Sequence, residues 1–351
     1  MRIFGAEIGA VAVTLGVASA GGLAAWWLRL PLGFLLGALV VTALLAAGER
    51  RLFGHRMTLP LRLRQGFVPV IGVSIGGAFT PQVVGGMGQW WPSLLALLIY
   101  IPAAHALAYA IYRRGGIGPR EAFFGGIPGG LIESVSLGEE MGADIRILTA
   151  LQFLRLILTI VSVPLIFLAL TGSRVGSAAG VSMGGGVTPG PVDWLVLAAA
   201  GVAGFWLAAR LRFPAPMMTG PLLLSAVAHA TGLAQGAPPV WLVSVTQVVV
   251  GAGLGARFGG MDRAMLARTF GLAVLNGTAA LILAFGFALG LHTLIDEPVT
   301  AIFLAFAPGG VAEMSLIALS LNIGVVYVTV HHVVRIVLAV TIARIGSRRL
   351  R

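Results

Sequence analysis

The stretches that decide the fold are PGGLIE at 128–133 and PGGVAE at 308–313. They begin 180 residues apart, and the same offset relates Arg155 to Arg335. Further upstream the offset drifts by a few residues but the order holds, since the glycine pair of 72–76 corresponds to that of 251–255. The chain is therefore an internal duplication, in which each half carries one Pro-Gly-Gly block.

The composition around these blocks excludes a water-soluble protein. Of 351 residues, 58% are hydrophobic and only 10% are charged, and the mean hydropathy is +0.98. A soluble protein this apolar lacks the polar side chains to cover its own surface, whereas a protein embedded in lipid does not need them. The sequence predicts an all-α polytopic membrane protein whose main partner is the lipid bilayer.

Apolar runs predict about ten transmembrane helices, five in each half. These runs are 7–28, 31–47, 64–84, 90–112 and 145–170, followed by 192–210, 214–234, 240–258, 266–290 and 324–346. Two further runs, 121–141 and 296–319, contain the Pro-Gly-Gly blocks. Because proline and consecutive glycines interrupt a helix, each of these runs is predicted to be a re-entrant or broken helix.

The domain organisation follows the duplication. The first membrane repeat is predicted at 1–170 and the second at 192–351. Between them, 171–191 is rich in Gly, Ser and Pro, which is typical of a linker.

The basic residues predict the orientation in the membrane. The net charge is +11, and all 23 basic residues are arginines that lie mainly in short clusters between the apolar runs. The clusters at 50–64, 113–120 and 257–268 are predicted to be cytoplasmic, as are both termini. Loop 291–297 carries acidic residues and no arginine, which favours the opposite side. These assignments favour inverted halves with re-entrant segments; the alternative is twelve spans in parallel halves, which places 257–268 outside. Because the arginines lie in short loops between the apolar runs, the chain has no basic surface that could bind nucleic acid.

Four charged residues lie within the predicted membrane region: Glu133, Glu313, Arg155 and Arg335. Each costs about 2.5–3.5 kcal/mol at the centre of a spanning helix, so each needs a partner or a function. Arginine–carboxylate pairing is one interpretation, and an anion site next to a protonatable acid is another. In the structural alternative, each glutamate caps the helix that restarts after the glycines, and each arginine snorkels to the interface or clamps a carbonyl group.

His332 precedes Arg335 by three residues and shares its helix face, where a neutral imidazole could relay protons; Gln152 takes its place in the first half. With no cysteine and only scattered histidines, we expect no metal site, no cofactor and no enzymatic activity. The predicted substrate or ion site consists of Pro128, Gly129, Gly130, Glu133, Arg155, Pro308, Gly309, Gly310, Glu313, His332 and Arg335.

The two Pro-Gly-Gly-x-x-Glu blocks, the duplication and the Gly251-x-x-x-Gly255-x-x-Phe258 block resemble the AbrB-type integral membrane proteins of bacteria. The resemblance covers essentially the whole chain and implies a location in the bacterial inner membrane. Members of this family have been labelled ammonia monooxygenases, and one is linked to control of gene expression. More distantly, the pattern is similar to cation/proton antiporter and anion transporter folds with inverted repeats.

Together, the residues and the resemblance lead us to expect a secondary transporter. It moves a small solute, for which an anion is one option, by alternating access, with one half rocking against the other and coupling to protons or another cation. The alternative is a membrane-embedded regulator or scaffold that influences gene expression without transport or DNA contact. A homodimer is one option for its oligomeric state.

Overall fold

The computed structural model describes residues 2–30, 32–171, 188–213, 215–321 and 323–347, and it is all-α apart from two short β-hairpins. The helices of the first half are α1 (Ile8–Trp27), α2 (Gly33–Ala47), α3 (Leu61–Gly76), α4 (Pro81–Gly86), α5 (Trp91–Arg114), α6 (Pro119–Gly125), α7 (Leu131–Glu140) and α8 (Ile145–Thr171). Those of the second half are α9 (Pro191–Arg210), α10 (Pro216–Ala230), α11 (Val240–Gly255), α12 (Arg263–Leu291), α13 (Val299–Phe306), α14 (Val311–Leu321) and α15 (Val325–Ser347). The hairpins are β1 (Arg2–Ile3) with β2 (Ala6–Glu7), and β3 (Arg51–Leu52) with β4 (His55–Arg56), both antiparallel. Most of the predicted linker, 172–187, lies outside the described residues.

Seven segments of the described chain are long and apolar enough to cross a membrane, which confirms the polytopic fold. They are Ile8–Trp27, Gln82–Arg114, Ile145–Ala169, Pro191–Arg210, Val240–Phe258, Arg263–Leu291 and Val325–Gly346. The three other predicted crossings coincide with α2, α3 and α10, which have only 15 or 16 residues. At 1.5 Å per residue these helices are about 23 Å long, shorter than an average hydrocarbon core.

Both Pro-Gly-Gly segments form helical hairpins whose two ends lie close together. In the first hairpin (α6 and α7), a Glu121 carboxylate oxygen accepts a hydrogen bond from the backbone N–H of Asp144, just beyond α7, at 2.9 Å. In the second hairpin (α13 and α14), a Cβ built on Gly324 would lie 3.3 Å from a carboxylate oxygen of Glu297. The beginning and end of each hairpin are therefore neighbours, and the re-entrant arrangement in the membrane stays a prediction.

The chain divides into two compact units that do not coincide with the two repeats. Unit 1 consists of Met1–Val84, Val163–Met261 and Ser315–Asn322, and unit 2 of Gly85–Ser162, Asp262–Met314 and Ile323–Arg351. Each unit draws on both halves of the sequence, because the corresponding helices of the two repeats assemble together. The repeat boundaries themselves stay a prediction from the sequence.

Unit 1 is built on close helix crossings at equivalent glycines. A Cβ added to Gly255 on α11 would lie 2.6 Å from the carbonyl oxygen of Leu39 on α2. In the other half, a Cβ added to Gly76 on α3 would lie 2.8 Å from the carbonyl oxygen of Leu222 on α10. The second helix of each repeat thus packs against the third helix of the other, and glycine permits the approach of the two backbones.

The direction of two helices in unit 1 supports inverted halves. The C-terminal ends of α2 and α11 meet at one cavity, which is lined by both Arg50 and Arg257. Inverted halves place the ends of these helices on the same side of the membrane, whereas twelve parallel spans place them on opposite sides.

Large apolar side chains cover the outer faces of several long helices. Among the most exposed are Trp27, Ile99, Leu195, Val202 and Ile282, with exposures of 67–76%. Apolar side chains exposed in this number are compatible with lipid around the helices and not with water.

Candidate functional site

The candidate site lies in unit 2, at the turns of the two hairpins. We call residues 126–130 the first tip and residues 307–310 the second tip. Pro128 and Pro308 are buried, and the glycines that follow leave the backbone bare. Gly129 has φ +137° and Gly130 has φ +61°, backbone conformations that favour glycine. The next helix begins immediately after each tip, at Leu131 and at Val311.

Arg335 on α15 clamps the second tip. Its guanidinium donates hydrogen bonds to the carbonyl oxygens of Phe306, Ala307 and Gly309, where α13 ends. The side chain is only 1% exposed. A cation at this position adds a donor to the carbonyl groups at the end of the helix and complements the negative end of the helix dipole.

Arg155 on α8 holds the first tip in the equivalent way. It donates to the carbonyl oxygen of Ile127 at 2.7 Å, and Ile127 is the counterpart of Ala307. Arg155 is 7% exposed. The described hydrogen bonds of both arginines therefore agree with the carbonyl-clamp alternative.

His332 and Gln152 orient these arginines. His332 Nε2 lies 2.9 Å from the carbonyl oxygen of Leu304, and its Nδ1 accepts a hydrogen bond from Arg335 at 2.7 Å. In the first half, Gln152 Nε2 donates to the carbonyl oxygen of Phe124 at 2.9 Å, and its Oε1 accepts from Arg155 at 2.6 Å. These contacts require the neutral Nε2–H form of His332, because a proton on Nδ1 would face a guanidinium. His332 is thus held as a positioning group and is poorly placed to relay protons.

Glu313 lies where the helix-capping alternative predicts. Gly310 directly precedes α14, Glu313 is the third residue of that helix, and its carboxylate lies against Gly310. A carboxylate at this position balances the positive end of the helix dipole. Glu313 is 5% exposed. Glu133 is the equivalent residue of α7, but its side chain lies outside the described residues.

Each tip also contacts the long helix of the other half. A Cβ built on Gly129 would lie 3.8 Å from Nε of Arg335 and 3.8 Å from Cβ of Ala339, both on α15. A Cβ built on Gly310 would lie 3.6 Å from the side chain of Leu156 on α8. The structure thus brings the first and second tips, with both arginines, into one site.

Three buried polar groups at this site have no hydrogen-bond partner within the described part of the chain. They are Nε of Arg155, Nε of Arg335 and the hydroxyl group of Tyr100. Tyr100 is completely buried and close enough to interact electrostatically with both arginines, and the two guanidiniums also repel each other. Buried donors without partners and two neighbouring cations favour binding of an anion. Sequence alone does not assign Tyr100 to this site, because its only signal is a hydroxyl group within an apolar run.

A series of polar side chains in unit 2 leads from this site to the beginning of the second hairpin. His331 Nε2 lies 2.8 Å from the hydroxyl oxygen of Ser93 on α5, and Ser93 donates to the carbonyl oxygen of Trp90. The indole N–H of Trp90 donates to Glu297 at 3.0 Å. Burial raises the pKa of the Glu297 carboxyl group, and this hydrogen bond lowers it in part.

Comparison with known proteins agrees with this architecture. The family described as "Transition state regulatory protein AbrB" matches residues 42–351. The "Uncharacterized protein YhjN" of Bacillus subtilis (strain 168) is 28% identical over 93% of this chain and 90% of its own length. The "Putative regulator AbrB" of Escherichia coli (strain K12) is 23% identical over 84% of this chain and 83% of its own length. The match over most of the sequence shows that the chain belongs to the AbrB family.

Proposed function

We propose that this protein is a secondary transporter that moves a small anionic solute across the bacterial inner membrane by alternating access, coupled to protons or another cation. The observation that carries the proposal is the convergence of two buried guanidiniums on two bare glycine tips, each with an Nε–H that has no partner among the described residues. Interrupted helices from two repeats typically form the substrate site of a secondary transporter. The site needs no catalytic group.

Glu313 supplies the coupling in this proposal. Its negative charge occupies the N-terminal end of α14, where an anionic solute would also be stabilised. Protonation of Glu313 removes the competing charge, so proton binding and anion binding favour each other. The two ligands would therefore move together.

The test is proton-coupled uptake in proteoliposomes. Purified protein is reconstituted with a pH-sensitive dye inside, and a panel of monocarboxylates, dicarboxylates and inorganic anions is added under an inward proton gradient. We expect at least one anion to carry protons inward with the unmodified protein, and Glu313→Gln to abolish this flux. Glu140→Gln, which changes an exposed glutamate at the end of α7, is the matched control and retains it. Full proton-coupled uptake by Glu313→Gln would remove the proposed role of this residue.

The name of the Escherichia coli relative supports a second candidate function, a membrane-embedded regulator that transports nothing. Gene expression and anion flux, measured together, distinguish the two functions. If a deletion strain regains normal gene expression with Glu313→Gln, while proteoliposomes show no flux with any anion for the unmodified protein, the regulator is the better description.

The proposal also includes an orientation, with both termini in the cytoplasm and five crossings in each half. The chain contains no cysteine, so single cysteines can be introduced without a background. An impermeant thiol reagent added outside the cell should label Thr293→Cys, in the loop without arginine, and not Met261→Cys, which is next to an arginine cluster. The reverse labelling pattern would invert the orientation.

A further inference from the structure

A cavity of about 310 Å³ lies in unit 1 at the C-terminal ends of α2 and α11. Its lining includes Arg50, Arg56 and Arg257, with Glu49 as the acidic residue among them. The cavity belongs to a different unit from the candidate site at the two tips and shares no residue with that site.

The charges of this cavity favour an anion. Arg50, Arg56 and Arg257 are all exposed, and within the described chain the guanidiniums of Arg50 and Arg56 form no hydrogen bond or ion pair. Two helix C-terminal ends contribute about −0.5 charge each. Together with Glu49, they leave an excess of about one positive charge from the three arginines. Guanidinium groups bind phosphate with paired hydrogen bonds, so a phosphate group suits this excess.

The hairpin of β3 and β4 forms part of the wall of the cavity and ends in an exposed phenylalanine. Phe53 is 90% exposed and has φ +52°, a left-handed conformation that is costly for a bulky residue. The turn thus projects a large apolar side chain beside arginines. Such a combination is typical of a segment at the membrane interface.

The hairpin of β1 and β2 also has an exposed phenylalanine at its turn. In each hairpin, the Phe-Gly turn comes directly after an arginine and an aliphatic residue, Arg2-Ile3 in one and Arg51-Leu52 in the other. Phe4 has φ +47° and is 58% exposed. The two hairpins contact each other, since His55 Nδ1 lies 3.5 Å from a carboxylate oxygen of Glu7. Two neighbouring hairpins therefore each present an exposed phenylalanine at the turn, and one of the two hairpins contributes Arg56 to the cavity.

We propose that this cavity binds the headgroup phosphate of an anionic phospholipid, with Phe53 and Phe4 inserted between the neighbouring lipids. A phosphate in free solution would use the same arginines. The exposed phenylalanines favour the lipid, because they provide apolar contact beside the headgroup that a soluble ion does not use. Arginine-lined pockets between membrane helices on the cytoplasmic side are suited to anionic headgroups.

The test compares lipid binding by variants of the full-length protein. Detergent-purified protein is titrated with phosphatidylglycerol or phosphatidylcholine, and binding is counted by native mass spectrometry. The cavity variant is Arg50→Gln, Arg56→Gln and Arg257→Gln combined. The control variant is Arg29→Gln, Arg210→Gln and Arg212→Gln combined, which removes the same charge from exposed positions of unit 1 that do not line the cavity.

We expect the unmodified protein to prefer phosphatidylglycerol, the cavity variant to bind it about tenfold more weakly, and the control variant to stay within about twofold of the unmodified protein. Phe53→Ala, which keeps all three arginines, should weaken phosphatidylglycerol binding about threefold. Melting temperatures close to that of the unmodified protein exclude misfolding as the cause.

Three outcomes would overturn the proposal. Equal losses in the cavity and control variants would indicate general surface charge. Unchanged binding by the cavity variant would exclude the cavity. Full displacement of phosphatidylglycerol by millimolar inorganic phosphate, with no effect of Phe53→Ala, would indicate a site for a soluble anion.

Discussion

The two tips share one design but differ in how much they depend on their arginine. At the second tip and the end of α13, Arg335 donates to three carbonyl oxygens and to an imidazole. At the first tip, the described hydrogen bonds of Arg155 go to one carbonyl oxygen and to Gln152, whereas Gln152 and Ser134 donate to the tip carbonyl groups themselves. Because buried polar groups are costly to leave unpaired, the number of bonds made by each arginine indicates how much its tip depends on it. Within the described residues, the second tip therefore depends on its arginine more than the first.

The largest effect should come from removal of the clamps. Arg335→Gln removes one donor from each of three carbonyl groups and the donor to Nδ1 of His332, and we expect it to destabilise the protein by about 3–5 kcal/mol. Arg155→Gln should cost less, about 2 kcal/mol, because fewer acceptors lose a donor. Thermal unfolding in detergent measures both variants. If Arg155→Gln proves equally or more harmful, the second tip is not the one that depends more on its arginine.

The glycines of the two tips should tolerate alanine poorly for different reasons. Gly129 has φ +137°, so alanine at this position is strained although there is space for its Cβ, and we expect a cost of about 1–3 kcal/mol. A Cβ on Gly309 would overlap the side chain of Met314, which is fully buried, so Gly309→Ala should cost about 1–3 kcal/mol through crowding. Unfolding temperatures of the two variants measure both losses. An unchanged stability of Gly129→Ala would mean that the backbone conformation of the first tip does not require glycine.

An exchange of the positioning residues should have a smaller effect. His332→Gln gives the second tip the side chain found at the first, and Gln can donate to Leu304 and accept from Arg335 as Gln152 does for its own neighbours. We expect a loss below about 1 kcal/mol, whereas His332→Ala should cost about 1–3 kcal/mol because it leaves both neighbours unpaired. A loss with Gln as large as that with Ala would show that the imidazole has a role besides positioning.

The smallest effect concerns pH and the beginning of the second hairpin. The pKa of Glu297 is raised from its ordinary value of 4.5 by burial. Its folded form therefore binds a proton more tightly than its unfolded form, so its stabilising contribution is full below pH 4.5 and is lost as the pH rises through the raised pKa. Glu297→Gln should flatten this decline, which unfolding measured in steps above pH 4.5 can detect. An unchanged pH dependence would assign the decline to another group.

Much of the candidate site could be predicted from the sequence, because its signals are local. The constant offset between Pro128 and Pro308 revealed the duplication, and proline followed by two glycines indicated the interruption of each helix. The same offset related Arg155 to Arg335, and these residues occupy equivalent positions in the structure.

The remaining features depend on packing, which no local pattern contains. Nothing in the sequence of α5 assigns Tyr100 to the site, since its position there results from the assembly of α5 with the hairpins in unit 2. The choice between a carboxylate and a carbonyl group as partner of each arginine also needed the geometry of the tips. The two β-hairpins were missed because each strand has only two residues, too few for an alternating pattern.

The close approach of Gly255 to α2, and of Gly76 to α10, has an evolutionary consequence. A chain with only one repeat would leave both of these glycine surfaces uncovered. In the proposed inverted arrangement, a second copy covers them by inserting upside down in the same membrane. The inverted arrangement then implies an ancestor that entered the membrane in both directions, and a fused chain whose arginine clusters specify one direction for each half.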